Sequence, residues 1–299
     1  MAYRNLMIES PARLQIEKNR LLITTDCQHT VPLEDICSVL LENRQSTVSV
    51  AALSQMAQYG ITVFVCDEKH LPCGALLPFA QHSRNSGMIR LQSNLKITLQ
   101  KQLWQQIIKG KIRNQANCLE LLGKDDAAVT LRKLVYQVRT DDITNIEAQA
   151  ANYYFQQLFP TVLYRRDDFD ARNAFLNYGY AIIRGHVARL LVNYGFLPML
   201  GLHHHSELNA YNLADDFMEP LRPVVDLYTA SLPEVGELTT VDKRRLYNLL
   251  NVDMSLTEQN FTVAYAAEKM VQSFARCCQG LRKELLLPKL IPLQQHSYE

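Results

Sequence analysis

The chain has 299 residues, enough for two hydrophobic cores at the usual size of about 100–200 residues per domain. Hydrophobic residues make up 47% and charged residues 20%, and 31 basic against 30 acidic side chains leave a formal net charge of +1, which excludes a globally basic nucleic-acid binder and makes any basic surface local. No segment reaches the roughly 18 unbroken apolar residues of a membrane span and the N-terminus lacks a signal-peptide pattern, while seven cysteines without a CxxC pair read as reduced cytosolic thiols rather than a disulfide scaffold or zinc ribbon.

Residues 1–80 read as a β-rich N-terminal domain. Short apolar or alternating runs mark strands at Leu6–Ile8, Leu14–Ile16, Leu21–Thr25, Ser38–Leu41 and Ile61–Cys66, with turn signals at Lys18–Asn19 and Asp26. One helix, Val50–Tyr59, is expected to stop at Gly60, a residue suited to the left-handed position after a helix end. Near-balanced charge suits this domain to dimerisation rather than chemistry. The polar stretch 81–94, QHSRNSGMIRLQSN, reads as the linker.

From residue 95 the apolar period changes to that of a helix. Helices are expected at about 95–122, 125–138, 144–158, 170–194, 211–229, 239–251 and 261–285, punctuated by prolines. Residues 95–299 therefore read as a larger all-α domain, and the fold class is α+β.

No acidic residue occurs between Glu68 and Glu120. The interval holds Arg84, Lys96, Lys101, Lys109, Lys111 and Arg113 among Gln, Asn and Ser side chains. Such a run is either a solvated basic face or a strip that tracks phosphates, and its length in a chain of balanced charge favours the strip as a DNA-binding surface. Arg165 and Arg166 form a second basic cluster beside Tyr164, a tyrosine equally suited to stacking on a base or to anchoring in the core.

The segment Gly201–Pro223, GLHHHSELNAYNLADDFMEPLRP, places three histidines ahead of Asp216 and Glu219. Positions three apart share a helix face, so a histidine returned against that face would offer mixed nitrogen and oxygen ligation. That set suits Mg²⁺ or Mn²⁺. Upstream, Thr144 and Glu147 fit an S/T-x-x-E capping box, which explains Glu147 without a metal; spacing alone does not tie it to the histidines.

Four blocks in order carry a family resemblance: NIEAQAANYYF, NAFLNYGYAIIRGHVARLLVNYGFLP, GLHHHSELNAYNLADDFMEPLRPVVD and AEKMVQSFARCCQG. Together they resemble the acidic helix, central helix, His-plus-acid segment and C-terminal helix of the CRISPR-associated integrase and endonuclease of spacer acquisition, the Cas-one family. The compact length resembles its type II subfamily. The resemblance covers essentially the whole chain. It implies a divalent-metal-dependent DNA transesterification that joins the 3′-OH ends of a captured protospacer into a repeat, with DNA endonuclease activity.

It further implies that Glu147, His204 and Glu219 are catalytic and hold Mg²⁺ or Mn²⁺, with Asp216 at a further acidic position of the site; His205, next to His204 in the chain, is read as a surface residue or one beside the metal rather than a ligand. It implies a homodimer, bridged by a second small adaptation protein into a heterohexamer on protospacer and repeat DNA, with other type II CRISPR components as further partners. Ala148 stands where many relatives have glycine, and His205 is not a typical family position. A stand-alone metal-dependent nuclease and a non-catalytic DNA-binding scaffold are the competing readings.

Overall fold

At Lys18 and Asn19 the backbone turns left-handed, with φ of 49° and 61°. The turn closes β2 (Arg13–Glu17) onto β3 (Arg20–Thr24) as an antiparallel hairpin with Glu17 opposite Arg20. Two residues at positive φ match the right-handed strand twist in a two-residue loop, so the Lys-Asn signal marks a real hairpin. The computed structural model describes residues 4–68, 70–77, 85–165, 167 and 169–296. Its backbone divides into two units, Met1–Asn85 and Ser86–Glu299.

The first unit adds β1 (Arg4–Ile8), β4 (Gln28–Pro32), β5 (Ile36–Leu41), β6 (Thr47–Val48), α1 (Val50–Gln58), β7 (Thr62–Cys66) and β8 (Pro72–Leu76). One sheet has the order β1-β5-β7-β8 and the other β4-β3-β2-β6. Their core gathers Ile8, Leu14, Leu21, Val39 and Val63 with Ala52 and Met56 of α1. The helix opens where Ser49 accepts a hydrogen bond from Ala52 N at 3.1 Å, and Gly60 follows its end at φ 71°. Strands β4 and β8, like the two-residue β6, lie outside the strands expected from sequence. In QHTVP only Val31 is buried, and PCGAL buries nothing fully, so neither carries the alternation that marks a strand.

The second unit contains α2 (Asn85–Ser93), which begins at the boundary, then α3 (Ile97–Leu121), α4 (Asp125–Gln137), α5 (Ile146–Leu158), α6 (Ala171–Asn193), α7 (Asn212–Met218), α8 (Arg222–Ser231), α9 (Thr240–Asn248) and α10 (Val263–Cys278). Two features depart from the sequence reading. The stretch read as a linker is helical over 85–93 and buries Met88 and Gln92. The region read as all-helical also carries a small sheet of β9 (Val252–Leu256), β10 (Gln259–Thr262) and β11 (Lys289–Gln295), in the order β10-β9-β11. β9 and β10 are too short to interrupt the helical pattern around them. Thr257 and Glu258, at φ 49° and 66°, close their hairpin without the usual Gly or Asn signal.

Helix α3 packs against α4, α5, α8 and β11. Asn114, buried on α3, donates to Pro220 O at 2.7 Å and Pro288 O at 2.9 Å and accepts from Leu290 N at 3.0 Å. One amide thus pins two distant segments to α3. Helix α6 buries residues on nearly every side, from Asn173 to Leu191, as a helix inside a helical core must. A Cβ at its Gly179 would lie 2.5 Å from Val225 Cγ1, so only glycine permits this approach of α8. Among the described residues, no helix is long and apolar enough to cross a membrane.

Candidate active site

Glu147 sits in the first turn of α5, but not as the acid of a capping box. Thr144 lies outside the helix, whose N-terminal flank is Asn145 in the left-handed conformation, φ 51°. The capping acceptor is Asp142, which takes hydrogen bonds from Ile146 N at 3.0 Å and Glu147 N at 2.8 Å. Free helix N–H groups attract a carboxylate wherever the chain can return one, and here a turn ahead of the helix does so. The Glu147 carboxylate is left for other partners, and it pairs with Lys111 Nζ of α3.

The three histidines lie in the segment between α6 and α7. Asp216 of α7 is fully buried and holds that segment. Its Oδ2 accepts from Leu202 N at 2.6 Å and His203 N at 3.1 Å, and its Oδ1 accepts from His204 N at 3.3 Å and pairs with His204 Nδ1 at 2.7 Å. Gly201 permits the turn, because a Cβ there would meet His204 O at 2.2 Å. His203 stacks flat on Trp104 of α3, with ring centroids 4.2 Å apart, and His204 meets the same indole edge-on. His205 is exposed.

Glu219 follows α7 directly. Pro220 lacks an amide hydrogen, and the helix expected over 211–229 breaks into α7, a tight turn over Glu219–Leu221, and α8. The break points Glu219 inward. Its Oε1 accepts from Arg222 Nε at 2.9 Å. Its Oε2 stands 2.6 Å from Lys111 Nζ but off the line of an aligned hydrogen bond. Burial alone would raise the Glu219 pKa; the Arg222 and Lys111 charges outweigh it and hold the carboxyl at about 2. Burial likewise acts to lower the Lys111 pKa, and Glu219 and Glu147 together keep it above its ordinary value. The Asp216 hydrogen bond is the main cause of a raised His204 pKa, with Glu219 adding to it.

Among the described residues, no three His, Cys, Asp or Glu side chains converge as ligands of one metal ion. Between Glu147 and Glu219 lies the Lys111 ammonium. The donor set nevertheless fits a hard divalent cation in kind. Two carboxylates meet there, one with a buried oxygen lacking an aligned donor, and the imidazole beside them has Nδ1 committed to a carboxylate. A histidine whose other nitrogen is oriented in this way presents Nε2 to a metal.

The remaining candidates divide. Lys111 is buried in the acidic cluster, so it does not belong to an exposed phosphate-tracking strip, contrary to its reading from sequence. Lys101 pairs with Asp141 at 2.7 Å. Lys96 and Arg113 are exposed and Lys109 is half-buried. Arg165 donates to Asn177 Oδ1 at 2.8 Å and lies over the Tyr180 ring. It lines a 300 Å³ hollow with Arg184, Asp215 and Arg222. Arg84 and Arg166 lie outside the described residues. Sequence reasoning missed Lys111 and Arg222 as site residues. A lysine seven positions after Trp104, among Ile107, Ile108 and Ile112, falls on the apolar face of α3, and that was the available signal.

Solved structures share this architecture. A casposase bound to integration product matches with a TM-score of 0.77 at 17% identity, over 95% of this chain and 93% of that one. A Cas1 protein from Thermotoga maritima matches with a TM-score of 0.71 at 14% identity, over 95% and 99%. These likenesses define the class by fold: a strand-rich unit followed by a mainly helical one. In sequence, the family "CRISPR associated protein Cas1" matches residues 6–261. The CRISPR-associated endonuclease Cas1 of Neisseria meningitidis serogroup C (strain 8013) is 46% identical over 305 residues, covering 100% of both chains. A Cas1 endonuclease of Francisella tularensis subsp. novicida (strain U112) is 25% identical over 245 residues, 74% of this chain and 76% of its own. This chain belongs to the Cas1 family of CRISPR-associated proteins.

Proposed function

We propose that Glu147, His204 and Glu219 form the catalytic centre of this chain and hold Mg²⁺ or Mn²⁺, with Asp216 orienting His204. The enzyme class follows from the family: the chain is a CRISPR-associated endonuclease and integrase of spacer acquisition. The observation that supports the site is the meeting of Glu147 and Glu219, 72 positions apart by their numbering, on one side chain, Lys111. Glu219 and Lys111 both have shifted pKa values there, and shifted ionisable groups cluster at functional sites.

The reaction joins the 3′-OH of a captured duplex to a repeat phosphodiester. One P–O bond forms as another breaks, and the proton of the attacking hydroxyl ends on the leaving 3′-oxygen, so no nucleotide is consumed. A bound divalent cation would supply charge neutralisation at the phosphate and a lower pKa for the attacking hydroxyl. Glu147 and Glu219 would position it. Asp216 fixes the His204 ring and its tautomer, because Nδ1–H must face Oδ1. Arg222, clamped on Glu219, places a permanent positive charge beside the site.

DNA is the substrate in this reading. In a solved Cas6-RT-Cas1–Cas2 complex, part of one chain (35% of it) has the same fold, with a TM-score of 0.71 over 94% of this chain at 20% identity, which supports a small second adaptation protein as partner. A homodimer, a heterohexamer, a bacterial cytoplasmic setting and a type II context extend the same reading. Lys96, Lys109 and Arg113 are the basic residues best placed to track the DNA backbone.

The test combines the purified chain, its adaptation partner, a labelled short duplex, a supercoiled repeat plasmid and Mn²⁺. Joined product that requires a free 3′-OH and vanishes in His204→Ala is the expected result. Nicking without joining would assign hydrolysis in place of transesterification, and undiminished joining by the variant would remove His204 from the centre.

A further inference from the structure

Lys111 is a costly residue where it stands. Its side chain is 10% exposed, and a buried ammonium is tolerated only when paired. It has two partners, Glu147 and Glu219, and Arg222 supplies a second cation to Glu219. The two carboxylates and two cations therefore cancel. Without Lys111, the only cation left in contact among the described residues would be Arg222 on Glu219, and the two acids would repel each other at close range.

We propose that Lys111 is an internal counter-cation of the acidic site: its ammonium holds Glu147 and Glu219 together in the metal-free protein, and a divalent cation binds there in competition with it. The proposal rests on Glu147 and Glu219 being metal-binding residues. Before exchange the charges sum to zero and give a phosphodiester no net attraction. After a divalent cation takes the ammonium's place between the acids, the cation and Arg222 exceed the two carboxylates by one positive charge even before the displaced ammonium is counted, and that excess attracts a phosphodiester. The site would thus become attractive to DNA only once loaded. Lys111 serves as a positioning residue: it touches the metal-binding carboxylates, not the reacting atoms. An apolar replacement would retain the packing on α3 while removing the competitor.

The test compares the full-length wild type with Lys111→Met, measuring Mn²⁺ affinity by calorimetry and thermal unfolding in EDTA. Lys111→Met is expected to unfold at a lower temperature in EDTA and to bind Mn²⁺ about tenfold more tightly or better, since it removes a unit charge adjacent to the site. Unchanged or weaker Mn²⁺ binding by folded Lys111→Met would overturn the proposal. Should that variant fail to fold, Lys111→Gln keeps hydrogen-bond donors without the charge, and the same affinity criterion applies to it. Glu147→Gln separates the two levels of inference. Loss of Mn²⁺ binding in Glu147→Gln, with no gain in the Lys111 variants, would sink the counter-cation and leave the metal site standing. Retention of wild-type Mn²⁺ affinity in Glu147→Gln would overturn the site and the counter-cation together.

Discussion

The carboxylate of Asp216 meets His204 twice, through Oδ1 to the ring Nδ1 at 2.7 Å and to the backbone N at 3.3 Å. One buried acid therefore sets both the path of the loop and the orientation of the imidazole it carries. Asp216→Asn replaces one acceptor oxygen with a donor facing donors, at a cost of about 1–3 kcal/mol. The His204 pKa, raised above 6.5 chiefly by that hydrogen bond, should fall back toward 6.5 in the variant. An NMR titration of the ring would show it. Because the folded-state pKa is raised, His204 contributes stability below about pH 6.5 that is lost as pH climbs through the folded value. Asp216→Asn should flatten that part of the stability profile.

Glu147 and Glu219 share Lys111 but differ in burial, with side chains 29% and 8% exposed. Either change to Ala should abolish joining while leaving DNA binding by filter retention largely intact. Their stability costs should differ. Glu219→Ala leaves Arg222 and Lys111 short of a buried partner, worth about 3–5 kcal/mol, whereas Glu147→Ala should cost clearly less. Equal shifts in denaturation midpoint would contradict this ranking.

Asp226 of α8 accepts from Tyr154 Oη at 3.0 Å and from Tyr180 Oη. Burial raises its pKa to about 6 in spite of those bonds. A carboxyl with a raised folded-state pKa gives its stability below its unfolded value, 3.8, and loses it as pH rises through about 6. By that linkage, the ionised form carries a penalty on the order of 3 kcal/mol at neutral pH. Asp226→Asn should be at least as stable as wild type at pH 7.5 and should remove the dependence between about pH 4 and 6. Urea melts at the two pH values decide it.

Gly201→Ala should displace the histidine loop, since the new Cβ would fall 2.2 Å from His204 O and 3.0 Å from Asp216 Oδ2. Overpacking of this kind costs about 1–3 kcal/mol. Joining activity should fall by more than the loss of folded protein explains, measured as rate per folded molecule.

The triple change Lys96→Ala, Lys109→Ala, Arg113→Ala tests the basic strip without Lys111. Each lost phosphate contact should reduce the slope of log affinity against log salt by about 0.9 on duplex DNA. An unchanged slope would remove these residues from the DNA contact surface.

Much of this was legible in the chain. The Lys18–Asn19 turn, the Gly60 stop, the change of period near residue 95 and the positions of α3, α5, α6 and α10 are local signals, written in residues close in sequence. The four motif blocks carry the family, and they named Glu147, His204 and Glu219 before any contact was known. Thr144 and Glu147 satisfy the spacing of a capping box, yet Asp142 supplies the cap because the chain turns left-handed at Asp141, Asp142 and Asn145. β4 and β8 have no alternating pattern because each buries so little.

The sequence by itself determined the class of fold, the family and the identities of the candidate acids and histidine, because helical period, turn chemistry and motif order are properties of neighbouring residues. Only the tertiary structure decided what those groups face. Lys111 looks like one more member of a basic run until α3 carries it beneath the first turn of α5 and the break at Pro220. Charge in a sequence is counted without distance, whereas the energy of a buried charge depends on which groups lie within a few ångströms of it.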